Sequence, residues 1–226
     1  MRFVVRDPGV FTATYDLLAR VFLGRLEMEG LGGAARELRS GGSGPQWLPG
    51  LTSLLEALGA IDPQWPAAVE LLLAGDHEQA GSSETERAIC GAPLRGRYVP
   101  PYASVYLGSG GLWGPSTLEV LSLLEEEGLA WDRDMSGHDG SRILAPDHVG
   151  VEMAFLAVLS GIPDADHRDS ARAGRLCTML RHMSAWLPKF AGALRQGDAG
   201  SSPFGGTAGW TTLAVGVVGE DLRRRS

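Results

Sequence analysis

The chain has 226 residues, 44% of them hydrophobic and 21% charged, with a formal charge of −7 and a pI near 5.2. That is ordinary globular usage, enough to build a substantial core in one large domain or two small ones, and it excludes a chain disordered overall. So acidic a chain, with no long basic stripe, gains nothing from counterion release on nucleic acid, and a positively charged partner suits it better.

Met1 to Val10 carries Arg2, Arg6 and Asp7 with no apolar run behind them, so the sequence predicts no signal peptide. Asp7-Pro8 reads as an N-cap followed by proline at the first helical position. Phe11, Tyr15, Leu18, Val21, Phe22 and Leu26 then fall at spacings of three and four, predicting one apolar stripe on a helix that reaches about Glu29 and ends at Gly30, Gly32 and Gly33. A short helix is predicted over Ala34 to Arg39, with a flexible turn at Ser40 to Pro45. Leu48, Leu51, Leu54, Leu55 and Leu58 mark a third helix. Asp62-Pro63 opens a fourth, with Trp65, Val69, Leu72 and Leu73 inward, and Ser83 to Cys90 reads as a fifth with a capping-box match from Ser83 to Glu86.

Gly91 to Pro115 holds four prolines and six glycines and reads as an irregular connection, a length of loop that is often functional. It is expected to join an N-terminal half (about 1–90) to a C-terminal half (about 116–226) across a hinge at about 91–115. Ser116, with Glu119 three residues on, predicts a capped helix whose apolar face is Leu118, Leu121, Leu124 and Leu129. Glu125-Glu126-Glu127 reads as its solvated end, followed by a polar segment from Asp132 to Ser141. Pro146 opens another helix with Val149, Met153, Leu156 and Leu159 inward. A long helix or pair of helices covers Asp164 to Leu194, with Pro188 as a site for a bend, and a last helix runs from about Thr207 to Arg223. Arg223-Arg224-Arg225 there complements the helix dipole. The fold class is all-α, a bundle-like single domain of two helical halves joined by the long Gly/Pro-rich connection. The apolar stretch Trp210 to Val218 is too short to cross a bilayer, so no membrane insertion is expected. Cys90 and Cys177 have no CxxC spacing; they read as two buried thiols in a reducing compartment, with a disulfide as the open alternative.

Two segments concentrate the polar and aromatic chemistry. In Pro146-Asp147-His148-Val149-Gly150-Val151-Glu152, Asp147 and His148 are expected in the first turn of a helix, where free N–H groups favour a carboxylate, and Glu152 lies four residues on from His148. This is no HExxH metal site and has no neighbouring nucleophile, so no metal, cofactor or catalytic residue is assigned. The plainest reading is that Asp147 caps the helix and His148 bonds a neighbouring loop. The other segment, Pro100-Pro101-Tyr102-Ala103-Ser104-Val105-Tyr106, fixes an extended path and offers two tyrosines, a residue type favoured in peptide-binding surfaces. Its plain reading is a loop anchored by its tyrosines. Gly108 to Gly114 lacks the Lys-Ser/Thr of a P-loop, and His77, His138, His167 and His182 read as single, satisfied or surface histidines.

Taken together, Pro100 to Tyr106 resembles the PPYESVY-type signature of the TorD/DmsD/NarJ-like family of molybdoenzyme assembly chaperones, and Pro146-Asp147-His148 resembles its PDH motif. His182-Met183-Ser184-Ala185-Trp186-Leu187-Pro188-Lys189-Phe190 is similar to its H…WxPxF helix. Order and interval agree too, from about Ile89 onward. The resemblance implies a cytoplasmic, all-α chaperone, not an enzyme. Its partner would be a molybdopterin-containing oxidoreductase subunit, bound through its twin-arginine leader peptide or as the apo form until cofactor insertion. Pro101, Tyr102, Tyr106, Gly114, Asp147 and His148 carry over as client-binding residues, and Glu152 joins them from helix geometry. Where the family commonly has Glu, this chain has Ala103; where an acidic residue precedes the proline, it has Ala145; and Cys90 stands where an aromatic is usual. Some relatives serve nitrate-reductase-type subunits that are never exported. The competing functional reading is a nucleotide- or small-molecule-responsive enzyme using Asp147, His148 and Glu152. A homodimer formed by exchange of halves through the long connection is compatible with the sequence.

Overall fold

The computed structural model describes residues 8–23, 51–74, 99–108, 111–131, 143–161, 169–197 and 206–226. These residues form helices α1 (Pro8–Phe22), α2 (Leu51–Ile61), α3 (Trp65–Ala74), α4 (Ala103–Leu107), α5 (Pro115–Glu126), α6 (Val149–Ser160), α7 (Asp169–Gly197) and α8 (Gly206–Arg225). Among the described residues no strand forms, and the only extended pairing is one isolated antiparallel bridge between Tyr102 and His148. The all-α expectation is met.

Helices α1, α2 and α6 bury most of the described residues of the stripes their spacing implies. In α1, Phe11, Tyr15, Leu18 and Phe22 are buried together with Leu17 and Ala19, while Leu26 and the expected cap Asp7 lie outside the described residues. α1 lies along α6, and α7 packs between α6 and α8. The α1–α6 approach is close enough that a Cβ on Gly150 would stand 2.8 Å from the Leu23 side chain. Such an approach demands glycine there. Polar ties add register: Thr12 Oγ1 donates to Ser160 Oγ (3.1 Å), Tyr15 Oη donates to Asp221 Oδ2 (2.9 Å), and Arg225 Nε donates to Oδ1 of the same carboxylate (2.7 Å). Burial and the Asp221 carboxylate hold the Tyr15 hydroxyl well above its ordinary pKa, so it remains a donor.

The α2 stripe of Leu54, Leu55 and Leu58 is buried, as is Val69 of α3. Asp62 Oδ1 accepts from Gln64 N (2.9 Å) and its carbonyl from Trp65 N (3.1 Å), so the Asp-Pro turn sets up α3 but the helix itself begins at Trp65. The expected helices over Ala34 to Arg39 and Ser83 to Cys90 fall outside the described residues, as do Leu48 and Cys90. Cys177 is a free, half-buried thiol.

Several expectations require correction. The stretch before Pro115 is not wholly irregular: Ala103 to Leu107 forms α4, with Ala103 and Ser104 buried. Helix α5 starts at Pro115 with Gly114 as N-cap and no side-chain cap, so Ser116 lies inside the first turn and the Ser116–Glu119 capping box does not form. Proline at the first position wins because its missing N–H costs nothing there. The inward face of α5 is Thr117, Val120, Leu123 and Leu124, and Leu118 is 58% exposed. At its other end the Gly128 N–H bonds Glu125 O (2.9 Å) and the Leu129 N–H bonds Leu124 O (2.9 Å), a Schellman closure in which Gly128 takes φ +74°. The acidic run is not uniformly solvated. Glu127 turns inward to Arg175 (Nε–Oε1 2.6 Å) and Arg172 (3.4 Å), tying α5 to α7. Likewise the arginines at the C-terminus do more than meet the dipole: Arg223 and Arg224 pair with Glu220, and Arg224 lies over the Phe11 ring. α7 is one continuous helix through Pro188.

Candidate functional site

The two chemically dense segments, more than forty residues apart, meet edge to edge. Ala103 N donates to Asp147 O (3.0 Å) and Val149 N donates to Pro101 O (2.9 Å), which forms the Tyr102–His148 bridge. Consecutive prolines at 100 and 101 hold the chain extended, leaving the Pro101 carbonyl free to accept. The Tyr102 ring meets the His148 ring edge-on at 5.2 Å and 71°, and its hydroxyl accepts from Leu144 N (3.2 Å). Pro101, Tyr102, Asp147 and His148 are all buried.

The division of labour between Asp147 and His148 is the reverse of the simplest expectation. Pro146 does not open α6; residues 145–147 form a turn, and His148 is the N-cap, its Nδ1 accepting from Gly150 N (3.1 Å). Asp147 instead reaches across and accepts from Ser104 N (2.7 Å), serving the first turn of α4. A carboxylate bonded to that turn is favoured by the free N–H groups at any helix start. Its second oxygen, Oδ1, is buried without a partner among the described residues. Asp147→Ala is expected to remove about 1.5–3 kcal/mol, the worth of a buried hydrogen bond to a charged acceptor, whereas Asp147→Asn keeps most of it. Urea unfolding of the two variants side by side would measure the difference.

A second polar centre lies deeper. Glu152, fully buried, holds His182 Nε2 on Oε1 (2.9 Å) and accepts the Trp186 Nε1–H on Oε2 (3.0 Å), both from α7. His182 Nδ1 faces Glu119 Oε2 of α5 at 3.4 Å. Burial pushes the Glu152 carboxyl up to about 7, with His182 and the Trp186 hydrogen bond pulling against it. Burial pulls His182 down, but the attraction of Glu152 and then Glu119 outweighs it and raises the imidazole above its ordinary value. Both shifts favour the protonated form of the group in the folded chain. Trp186 carries the link outward: Tyr106 stacks on it (5.8 Å, 18°), Phe190 tilts against both rings, and Lys189 Nζ donates to Tyr106 O (3.1 Å).

Of the sequence-derived candidates, the structure brings Pro101, Tyr102, Asp147 and His148 into one contact, sets Tyr106 on the aromatic stack and leaves Gly114 as the cap of α5. Glu152 turns to His182 and Trp186 on the facing helix. Reasoning from single segments missed His182, Trp186 and Glu119 as members of this centre. The signals for two of them were the resemblance of His182 to Phe190 to the H…WxPxF helix and the four-residue spacing of His182 and Trp186; neither named Glu152 as their partner. Among the described residues no group of His, Cys, Asp and Glu could hold a metal ion, and no helix is long and apolar enough to cross a membrane.

Residues 60–192, more than half of the chain and all of the geometry just described, match the family model described as nitrate reductase delta subunit. No curated protein matches the chain.

Proposed function

The chain belongs to the nitrate reductase delta subunit family, whose members are molybdoenzyme assembly chaperones and not catalysts, and from that premise we propose that it holds the catalytic subunit of a molybdenum oxidoreductase in its apo form, or through its leader peptide, until the cofactor is in place. The compartment proposed for this step is the cytoplasm, as the resemblance of the ordered motifs implies. The observation that carries the reading is the joining of the Pro101–Tyr106 and Asp147–His148 segments into one paired unit backed by the Glu152–His182–Trp186 centre. Client-facing surface is thereby mounted on a rigid frame. Pro101, Tyr102, Asp147, His148 and Glu152 are buried, so they act by shaping that surface; Tyr106 is half-buried, and Leu107, Leu112 and Trp113 are exposed. A leader that is basic and then apolar suits a chain of charge −7 with aromatic surface. Nothing favours turnover at Asp147, His148 and Glu152, since each is spent on a structural hydrogen bond.

Titration calorimetry of the full chain against the apo subunit and its synthetic leader is expected to give a Kd of about 1 μM or tighter for at least one of them. Asp147→Ala or His148→Ala should weaken that binding about tenfold, equivalent to ~1.4 kcal/mol, with helicity unchanged by circular dichroism. Absence of binding to both probes by the wild-type chain would remove the chaperone reading.

A further inference from the structure

The outer face of α5 is built unlike the outer face of an ordinary surface helix. Leu118, Leu121 and Glu125 fall on one stripe, with Leu118 58% exposed, while the neighbouring stripe of Thr117, Val120 and Leu124, about 100° around the helix, is buried. Beside this stripe a cleft of about 450 Å³ is lined by Trp113, Leu121, Glu125, Gly128, Leu129, Ala130 and Trp131. Its back wall is fixed, because Trp131 packs on the small cluster of Leu23, Ile143 and Val151 and Leu129 packs on the main core. The Trp131 indole N–H is buried without a partner among the described residues. Trp113 stands at the edge, 43% exposed, with φ +62°, a left-handed conformation costly for a bulky residue. Exposed apolar side chains gathered beside a cleft, unlike ones scattered singly, are a feature of interaction sites.

The charges around the cleft choose the occupant. It opens at the C-terminal end of α5, where the last carbonyls carry the negative end of the helix dipole, and Glu125 lines it with Glu126 exposed beside it. Glu126 stands 3.8 Å from Arg175 Nη1 and Glu127 is taken up by Arg175 and Arg172, so Glu125 is the carboxylate that the cleft itself presents. An apolar cleft with a carboxylate and a helix C-terminus at one end fits an aliphatic or aromatic side chain followed by a cation. We infer that the α5 cleft is the docking site for an arginine- or lysine-bearing amphipathic segment of the client subunit, its apolar side chain lodged between Trp113, Leu121 and Trp131 and its cation on Glu125. This rests on the chaperone reading above and assigns it a surface.

The test uses the full chain and the apo catalytic subunit, with a photoreactive benzophenone side chain introduced at Leu118 or, as a control on α8, at Arg223. Irradiation is expected to join position 118 to a segment of the subunit in which lysine or arginine neighbours apolar residues, and to give no adduct from position 223. Glu125→Lys is expected to weaken the complex about tenfold, and Trp113→Ala by a similar factor or more, with the wild-type affinity falling as salt is raised. Binding that persists with adducts only from position 223, or that ignores both substitutions, overturns the cleft assignment and leaves the chaperone reading standing. A wild-type chain that does not bind the apo subunit at all overturns both.

Discussion

Replacing Glu152 by alanine is expected to cost about 3–5 kcal/mol, the range for removing one member of a buried charged pair. The carboxylate serves two donors at once, His182 Nε2 and Trp186 Nε1–H, and all three groups are buried. Without it, the imidazole and the indole N–H lose their acceptor in a place water does not reach, and a cavity opens between α6 and α7. Glu152→Gln keeps the volume and one acceptor oxygen, so its loss is expected nearer 1–2 kcal/mol. The same centre dictates a pH dependence. Glu152 is raised from 4.5 to about 7, and His182 is raised above 6.5, so in both cases the folded chain holds a proton that the unfolded chain has lost. Stability contributed by such groups is full at low pH and drains away as pH rises: through 4.5 to about 7 for Glu152, and from 6.5 upward for His182. Tm is therefore expected to fall by several degrees between mildly acidic and mildly alkaline buffer. Thermal scans across that range should show the slope flattened in Glu152→Gln and in His182→Gln; an unchanged slope in both would place the titrating groups elsewhere.

Trp186→Ala carries the second large effect, about 3–5 kcal/mol for deleting a fully buried aromatic. Tyr106 loses its stacking partner, Phe190 its tilted neighbour, and Glu152 one of its donors, so α4, α6 and α7 all lose contact at one point. Trp186→Phe restores most of the packing but not the N–H. Its residual cost isolates the hydrogen bond, and the cycle with Glu152→Gln is expected to show a coupling of about 0.5–3 kcal/mol. Since Tyr106 leads to the Gly108–Gly114 segment, Trp186→Ala is also expected to weaken client binding more than Trp186→Phe does. Denaturant midpoints and calorimetric titrations on the same preparations would separate the two consequences.

Much of this was readable in one dimension. Spacings of three and four located the buried stripes of α1, α2 and α6 because a helix facing a core must bury residues at its own period. The ordered motifs between Pro100 and Phe190 pointed to the chaperone family, and the family match covers them. Local rules failed where two of them competed. At the start of α5, Pro115 displaced the Ser116 cap; at the start of α6, His148 took the capping place that Asp147 seemed to claim. Periodicity places Leu118 inward because it is apolar, yet it is 58% exposed, an exception that spacing alone does not flag.

By itself, then, the sequence determined the helical class, most core stripes and the family, because each depends on residues near one another in the chain. Tertiary structure alone decided which polar groups act together. Asp147 serves Ser104 across 43 positions, and Glu152 reaches His182 and Trp186 across 30 and 34. Hydrogen-bond partners of buried charges are chosen by which helices happen to face each other, and a burial that leaves a carboxylate only those partners is what lifts Glu152 to about 7.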